Sequence, residues 1–320
     1  MAKYRQALPQ LEGDFFLTDG GIETTLIFLE GLDLPHFAAF HLFSTPEGER
    51  ALKNYFRIYA ELAEKYQCGL LLETPTWRAS ADWGEKLRYT TDTLAEVNRK
   101  SVRLLEEIRD EYETPRTPIV ISACVGPRGD GYVPGNKMSD KQAEDYHSLQ
   151  VKTFATTAAD LVTAITMNYA EEAVGIARAA RNAALPVVIS FTVETDGKLP
   201  TGQSLREAIQ QVDDATSGYP AYFMINCAHP THFSSVFGGN EPRTERIRGL
   251  RANASTMSHA QLNDALELDA GIPAELGQEY AALKRQQLKA LNVFGGCCGT
   301  DHRHVEQIAL ACLPLFREAT

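Results

Sequence analysis

The sequence predicts an α/β protein, a single-domain (β/α)8 TIM barrel, on three observations. Short apolar, β-branched or aromatic runs are each followed by a longer amphipathic stretch; this alternation occurs eight times without a long linker; and polar or glycine motifs fall at the ends of the apolar runs. Near-continuous runs such as Pro186-Val187-Val188-Ile189-Ser190-Phe191 suit parallel strands covered by helices. Eight units in 320 residues favour a closed barrel over an open doubly wound sheet. The predicted strands are Phe15–Thr18, Gly69–Glu73, Ile119–Ala123, Leu161–Thr166, Val187–Val193, Tyr222–Asn226, Ile247–Ala252 and Asn292–Phe294. Predicted helices lie at about 47–66, 92–112, 139–158, 170–184, 203–215, 229–236, 274–289 and 302–317. Nothing marks a second domain, and the barrel core is expected over about residues 15–317.

Composition narrows the function classes. A formal net charge of -11 argues against a nucleic-acid-binding surface and gives no sign of a basic membrane patch. No apolar run approaches the roughly 20 residues needed to span a bilayer. The segment Met1-Ala2-Lys3-Tyr4-Arg5-Gln6 lacks the apolar core of a secretory signal. Six cysteines are too sparse for a disulfide scaffold, so a reducing, cytoplasmic setting is expected. Partners are then small molecules, with no nucleic acid and no membrane; self-association into a homo-oligomer stays open.

A barrel carries its site on the face formed by the C-terminal strand ends. The motifs that fall there are Asp19-Gly20-Gly21 after the first strand, Glu73-Thr74-Pro75-Thr76-Trp77 after the second and Gly126-Pro127-Arg128-Gly129-Asp130-Gly131 after the third. Glu194-Thr195-Asp196-Gly197, Asn226-Cys227-Ala228-His229 and Gly295-Gly296-Cys297-Cys298-Gly299-Thr300 follow the fifth, sixth and eighth. Cys227 lies 70 positions before Cys297, yet the sixth and eighth strand ends are neighbours across a barrel mouth. Cys227, Cys297 and Cys298 can therefore meet.

Three thiolates and one open position suit zinc, a borderline-soft ion that takes four ligands tetrahedrally. A substrate thiol in the open position would lose its proton near neutral pH and stay nucleophilic enough to accept a methyl group. The glycines would let two adjacent cysteines face one point. From the residues alone, other readings stay open: a vicinal disulfide at Cys297-Cys298, or buried apolar thiols, as expected for Cys68, Cys124 and Cys312. No Walker loop, dinucleotide fingerprint or zinc-deaminase pattern is present.

The Gly295–Thr300 loop, with His304 four residues on, resembles the signature of the zinc-dependent homocysteine S-methyltransferases. Asn226-Cys227 is similar to the family's upstream ligand motif, Asp19-Gly20-Gly21 to its first-strand motif, and Glu73–Trp77 to its Glu-Thr-Asn-Thr-Phe segment. Val125-Gly126-Pro127 and Ser190-Phe191-Thr192 match shorter elements, so the resemblance spans nearly the whole chain. It implies a (β/α)8 barrel, Zn2+ on Cys227, Cys297 and Cys298, and a thiol acceptor such as homocysteine. The methyl donor would be small and cationic, a sulfonium or quaternary ammonium, because no cobalamin or folate domain fits beside the barrel.

The substrate end departs from that pattern. Ile165, followed by Thr166, stands where the family places a carboxylate that holds the acceptor ammonium, and isoleucine cannot pair with a cation. Glu23 stands where the family often has glycine, either capping the following helix or supplying the relocated carboxylate. Asp19 is expected to help bind the acceptor's amino group, and Glu73 to orient substrate or support its loop. Trp77 is expected to pack under a helix, His229 to be unnecessary as a ligand, and His302 and His304 to be peripheral. Residues 128–138 fit either a lid over the donor or an ordinary surface loop. Two rivals share the scaffold: a zinc hydrolase, chemically weaker because three thiolates acidify water poorly, and a zinc- or thiol-binding barrel that has lost turnover.

Overall fold

In the computed structural model, which describes residues 2–237, 244–265 and 267–317, eight parallel strands close on themselves. They are β1 (Phe16–Leu17), β2 (Gly69–Glu73), β3 (Ile119–Val125), β4 (Leu161–Met167), β5 (Val187–Phe191), β6 (Tyr222–Asn226), β7 (Ile247–Ala252) and β8 (Val293–Gly296). Closure is made by β8 against β1, with Phe16 level with Val293 and Leu17 with Phe294. The helices are α1 (Pro46–Tyr66), α2 (Ala81–Lys86), α3 (Thr91–Tyr112), α4 (Asp140–Ala155), α5 (Ala170–Asn182) and α6 (Leu205–Thr216), then α7 (Pro230–Phe233), α8 (His259–Asn263), α9 (Pro273–Gln286), α10 (His302–Cys312) and α11 (Pro314–Arg317).

The period-two alternation of a strand divides its side chains between two cores. Leu71 joins Phe16, Val120, Leu161, Val188 and Met224 in the barrel interior, whereas Leu70 and Leu72 join the larger layer between sheet and helices. Tyr4 and Leu8 pack on the interior group and close the barrel at its N-terminal end. The Lys3 and Tyr4 amides donate to Asp160 Oδ1 at 2.8 and 2.7 Å, and Asp160 Oδ2 accepts from Arg109 at 3.0 Å. The opposite mouth, at the C-terminal strand ends, is the face left for chemistry. No helix among the described residues is long and apolar enough to cross a membrane.

The differences from expectation have local causes. The glycine pair Gly295-Gly296, expected in a loop, is the end of β8. β3 and β4 run to Val125 and Met167, and β4 carries a bulge between Ala164 and Met167. The helix expected at 229–236 is a single α-turn followed by a 3-10 turn, Ser234–Phe237. Pro314 splits the last helix, because a proline ring cannot continue the hydrogen-bond ladder.

Candidate metal and acceptor site

Strand β6 ends at Asn226 and delivers Cys227 to the mouth; β8 ends at Gly296 and delivers Cys297 and Cys298. The three sulfurs all lie within 4.8 Å of one another, the one such cluster of metal-ligating side chains among the described residues. Cys227 and Cys297 are joined as a disulfide, with Cα atoms 5.4 Å apart, and Cys298 is a free, exposed thiol. The vicinal pairing is therefore not adopted. Three soft donors converging on one point, one of them open to solvent, fit a thiophilic metal ion once that disulfide is reduced. Cys68, Cys124 and Cys312 are buried elsewhere, and burial pushes the Cys68 and Cys312 thiols up to about 12.

Backbone geometry brings the thiols together. Gly299 takes a left-handed φ of +80°, but so does Cys227 itself at 54°, without glycine's freedom. Gly296 and Gly21 act through close approach instead: a Cβ on Gly296 would lie 2.0 Å from Thr300 Oγ1, and one on Gly21 would lie 2.4 Å from the Cys297 carbonyl oxygen. The Thr24 hydroxyl accepts the Gly299 amide at 2.9 Å and ties the first loop to the eighth.

A layer of polar groups surrounds the sulfurs. Asn226 is fully buried; its Oδ1 accepts from the Thr166 amide (3.0 Å) and the Ser190 hydroxyl (2.6 Å), and its Nδ2 donates to Thr166 Oγ1 (2.8 Å). Thr166 Oγ1 then lies 3.8 Å from Cys227 Sγ, so this residue stands at the metal cluster. His259 Nε2 donates to the Cys227 carbonyl at 2.5 Å, and its Nδ1 faces Glu194 Oε1 at 3.2 Å. The Tyr132 ring stacks on His259 with centroids 3.9 Å apart, and its hydroxyl sits 3.4 Å from Cys298 Sγ. Tyr132 thus brings the loop after β3 to Cys298. Arg78 Nη1 holds the Gly129 carbonyl (2.8 Å), and Asn168 Nδ2 holds those of Asp130 and Gly131.

The charged half of the mouth centres on Arg251, at the end of β7. Its guanidinium pairs with Asp19 Oδ1 at 2.7 Å and with Glu73 Oε2, and donates to the carbonyls of Gly20 and Gly296 at 3.0 Å each. The second Asp19 oxygen accepts from the Tyr55 hydroxyl at 2.9 Å. All three charged groups are buried, Arg251 at 7% exposure. Burial disfavours the Arg251 charge, but Asp19 and Glu73 outweigh it and hold the guanidinium protonated. Two buried carboxylates cannot both be fully compensated by one cation, and burial pushes Glu73 up to about 7 against the pull of Arg251. Burial likewise raises Asp19. The structure therefore brings Asp19 and Glu73 together on one shared guanidinium, and Glu73 Oε1 is left buried without a hydrogen-bond partner.

Glu23 behaves differently. It precedes a π-helical turn, Thr24–Leu29, and its carboxylate makes no capping bond, so the capping role expected from sequence is not adopted. It is half-buried on the same rim, and burial pushes it up to about 7, with Asp19 adding and Arg251 and Arg78 opposing. Ile165 is nearly buried at the β4 bulge. Trp77, expected as packing under a helix, stands half-buried at the mouth and donates to the Ile165 carbonyl at 3.2 Å. His229 turns away from the thiols: its Nδ1 accepts from the Thr231 amide, and its Nε2 faces Glu279 at 3.3 Å. His304 is buried in the capping box that opens α10, where its Nε2 donates to the Ala270 carbonyl.

Arg251, Tyr132, His259 and Arg78 were not singled out from the sequence. Arg251 carried a readable signal, a second arginine at the C-terminal end of a barrel strand. Tyr132 and His259 carried none, since their stacking is purely tertiary.

The profile of the homocysteine S-methyltransferase family matches residues 16–312. Homocysteine S-methyltransferase 3 from Arabidopsis thaliana is 25% identical over 204 residues, 61% of this chain and 57% of that protein's length. The homocysteine methyltransferase MmuM from Escherichia coli superposes in its oxidized form with a TM-score of 0.73 at 18% identity, over 96% of this chain and 99% of that one. Its metallated form gives 0.73 at 17% identity, over the same shares. The structural likeness concerns the fold, and the profile covers nearly the whole barrel with all three cluster cysteines inside it. The chain belongs to the homocysteine S-methyltransferase family.

Proposed function

We propose that this chain moves a methyl group from a small sulfonium or quaternary ammonium donor to homocysteine or a related thiol, giving methionine or a thioether. Cys227, Cys297 and Cys298 would hold Zn2+, with Asp19, Glu23, Glu73 and Thr166 lining the acceptor end. The observation that carries this reading is the convergence of the three sulfurs on the C-terminal face of a barrel of this family. Bound there, zinc would supply Lewis acidity that keeps the acceptor sulfur deprotonated at neutral pH.

The protein's own groups do the rest. Asn226 and Thr166 fix the approach to Cys227, and Arg251 clamps the Gly20 and Gly296 carbonyls, holding the first and eighth loops in register. Tyr132 places its hydroxyl beside Cys298 and covers one side of the sulfur cluster, leaving the solvent side open for acceptor and donor. The acceptor sulfur's lone pair forms the new S–CH3 bond while the donor's C–S or C–N bond breaks. The leaving group departs neutral, and the acceptor's thiol proton has already gone to solvent.

Reduced, zinc-loaded protein mixed with homocysteine and S-methylmethionine, S-adenosylmethionine or betaine tests this. Methionine should form with one of these donors and vanish in Cys298→Ala. Ile165, standing where the family places the carboxylate that holds the acceptor ammonium, motivates a second reading, a zinc- or thiol-binding barrel without turnover. Zinc and homocysteine binding with no donor consumed would establish it.

A further inference from the structure

Strand β7 carries no cysteine, yet its end touches all three cysteines of the sulfur cluster. It lies between β6 and β8 and serves both neighbours. The Arg251 carbonyl accepts the Cys227 amide at 3.1 Å, and the Ala252 carbonyl accepts the Cys297 amide at 2.8 Å. The Ala254 amide donates to the Cys298 carbonyl at 3.0 Å. Further along the same segment, α8 opens with His259, which is buried. The backbone bonds place each cysteine along the rim. They leave open the peptide plane after Cys227 and the surroundings of the Cys298 sulfur, and both of these meet at His259.

Cys227 holds its left-handed φ of 54° at a cost of about 1–2 kcal/mol for a residue with a Cβ. Such a backbone persists only where its surroundings fix it. His259 Nε2 supplies one fix by donating to the Cys227 carbonyl at 2.5 Å, while Glu194 Oε1 stands 3.2 Å from Nδ1 and sets the rotation of the ring. The face of the same ring carries Tyr132, stacked at 3.9 Å and 21°, whose hydroxyl lies 3.4 Å from Cys298 Sγ. The loop that brings Tyr132 is braced from behind: Arg78, stacked between Trp77 and Trp83 at 3.9 and 3.8 Å, donates to the Gly129 carbonyl. One imidazole therefore meets a cysteine of the β6 end by its edge and, through Tyr132, a cysteine of the β8 end by its face.

We propose that His259 is a positioning residue for the metal site. Its edge holds the Cys227 peptide and its face holds Tyr132 against Cys298, so that sulfurs from two strand ends are preset towards one point. It touches neither the ion nor the substrates and acts through those two residues. The inference rests on the functional reading above, but its test reads metal affinity and thiol reactivity rather than turnover.

Three variants separate the two contacts. His259→Phe keeps a flat ring for Tyr132 and loses the donor, His259→Gln keeps a donor and loses the ring, and His259→Ala loses both. Zinc affinity of the reduced proteins is read by chelator competition, and thermal midpoints of the metal-free proteins report folding. His259→Ala should bind zinc about 10- to 100-fold more weakly, the scale of removing a group that orients a metal ligand. His259→Phe and His259→Gln should each recover part of that loss. Iodoacetamide alkylation of Cys298, followed by peptide mass in the reduced, metal-free proteins, should quicken in His259→Ala and His259→Gln and stay near wild type in His259→Phe. Should His259→Ala not fold, the opposite alkylation behaviour of the other two variants decides alone. Wild-type zinc affinity in a folded His259→Ala overturns the proposal. So does an affinity loss that merely follows the thermal midpoint across the variants, with Cys298 alkylation unchanged. Reduced wild-type protein that binds no zinc strikes the functional reading itself, and this inference falls with it.

Discussion

The two halves of the barrel mouth solve opposite problems. On the β6–β8 side, Cys227, Cys297 and Cys298 converge with one thiol facing solvent, leaving a site that an ion and a second sulfur can complete. On the β1–β2–β7 side, Asp19, Glu73 and Arg251 are buried against one another, both carboxylates held by one guanidinium from within the protein. Reactivity needs unfinished coordination, whereas rigidity comes from buried charged groups that grip one another and the surrounding backbone. The closed cluster grips the Gly20 and Gly296 carbonyls, so its placement sets the geometry of the open one.

The contrast can be broken from either side. The largest expected effect is on the open half: Cys297→Ser or Cys298→Ala should lower methyl transfer on the order of 10³-fold, a loss of several kcal/mol of barrier stabilisation, with metal content falling in parallel. For Cys298→Ala stability should change little, because Cys298 is exposed. The closed half should answer in the other currency. Arg251→Met leaves two buried carboxylates facing each other and should destabilise the fold by about 3–5 kcal/mol, read as a large drop in thermal midpoint. An unchanged midpoint would mean that the triad is not what holds the loops.

Titration sharpens the same comparison. The Glu73 carboxyl is pushed up to about 7 from its ordinary 4.5, by burial first. Its folded form therefore keeps a proton that the unfolded chain has released, and its stabilising contribution is complete below the unfolded value. That contribution is lost as pH rises from about 4.5 towards 7. Denaturation midpoints across this window should fall with pH in wild-type protein and fall less steeply in Glu73→Gln. The smallest effect is expected at the edge of the open half. Tyr132→Phe removes only the hydroxyl beside Cys298 and should weaken metal affinity about tenfold, measured by chelator competition, with the midpoint unchanged.

Much of this was legible in the sequence because parallel strands buried on both faces read as continuous apolar runs. Ile119–Val125 and Tyr222–Asn226 are examples, predicted within two residues. The sulfur site was legible for the same reason: once the strands are placed in order, the ends of β6 and β8 must be close. The charged site was only half legible: Arg251 stands at the C-terminal end of its strand, where a barrel carries its site, but nothing local says that Asp19 and Glu73 will both turn towards it. Glu23 misled through its position before a helical turn, where a carboxylate ordinarily caps; here the turn is π-helical and the side chain makes no capping bond. The short α2 and α8 carry too few residues for a periodic signal, yet the loops that hold them supply Trp83 and His259 to the site. Loops over a barrel mouth owe their shape to what they touch, and that information is spread over the whole chain.

The central claim is that three cysteines from two strand ends form one metal site. The most direct measurement is the zinc content of the protein after reduction and dialysis, compared with the protein kept oxidised. The account predicts one zinc per chain in the reduced form, little in the disulfide-bonded form, and none in Cys227→Ser/Cys297→Ser. A reduced protein that stays metal-free under excess zinc, or a double variant that still binds one equivalent, would contradict it.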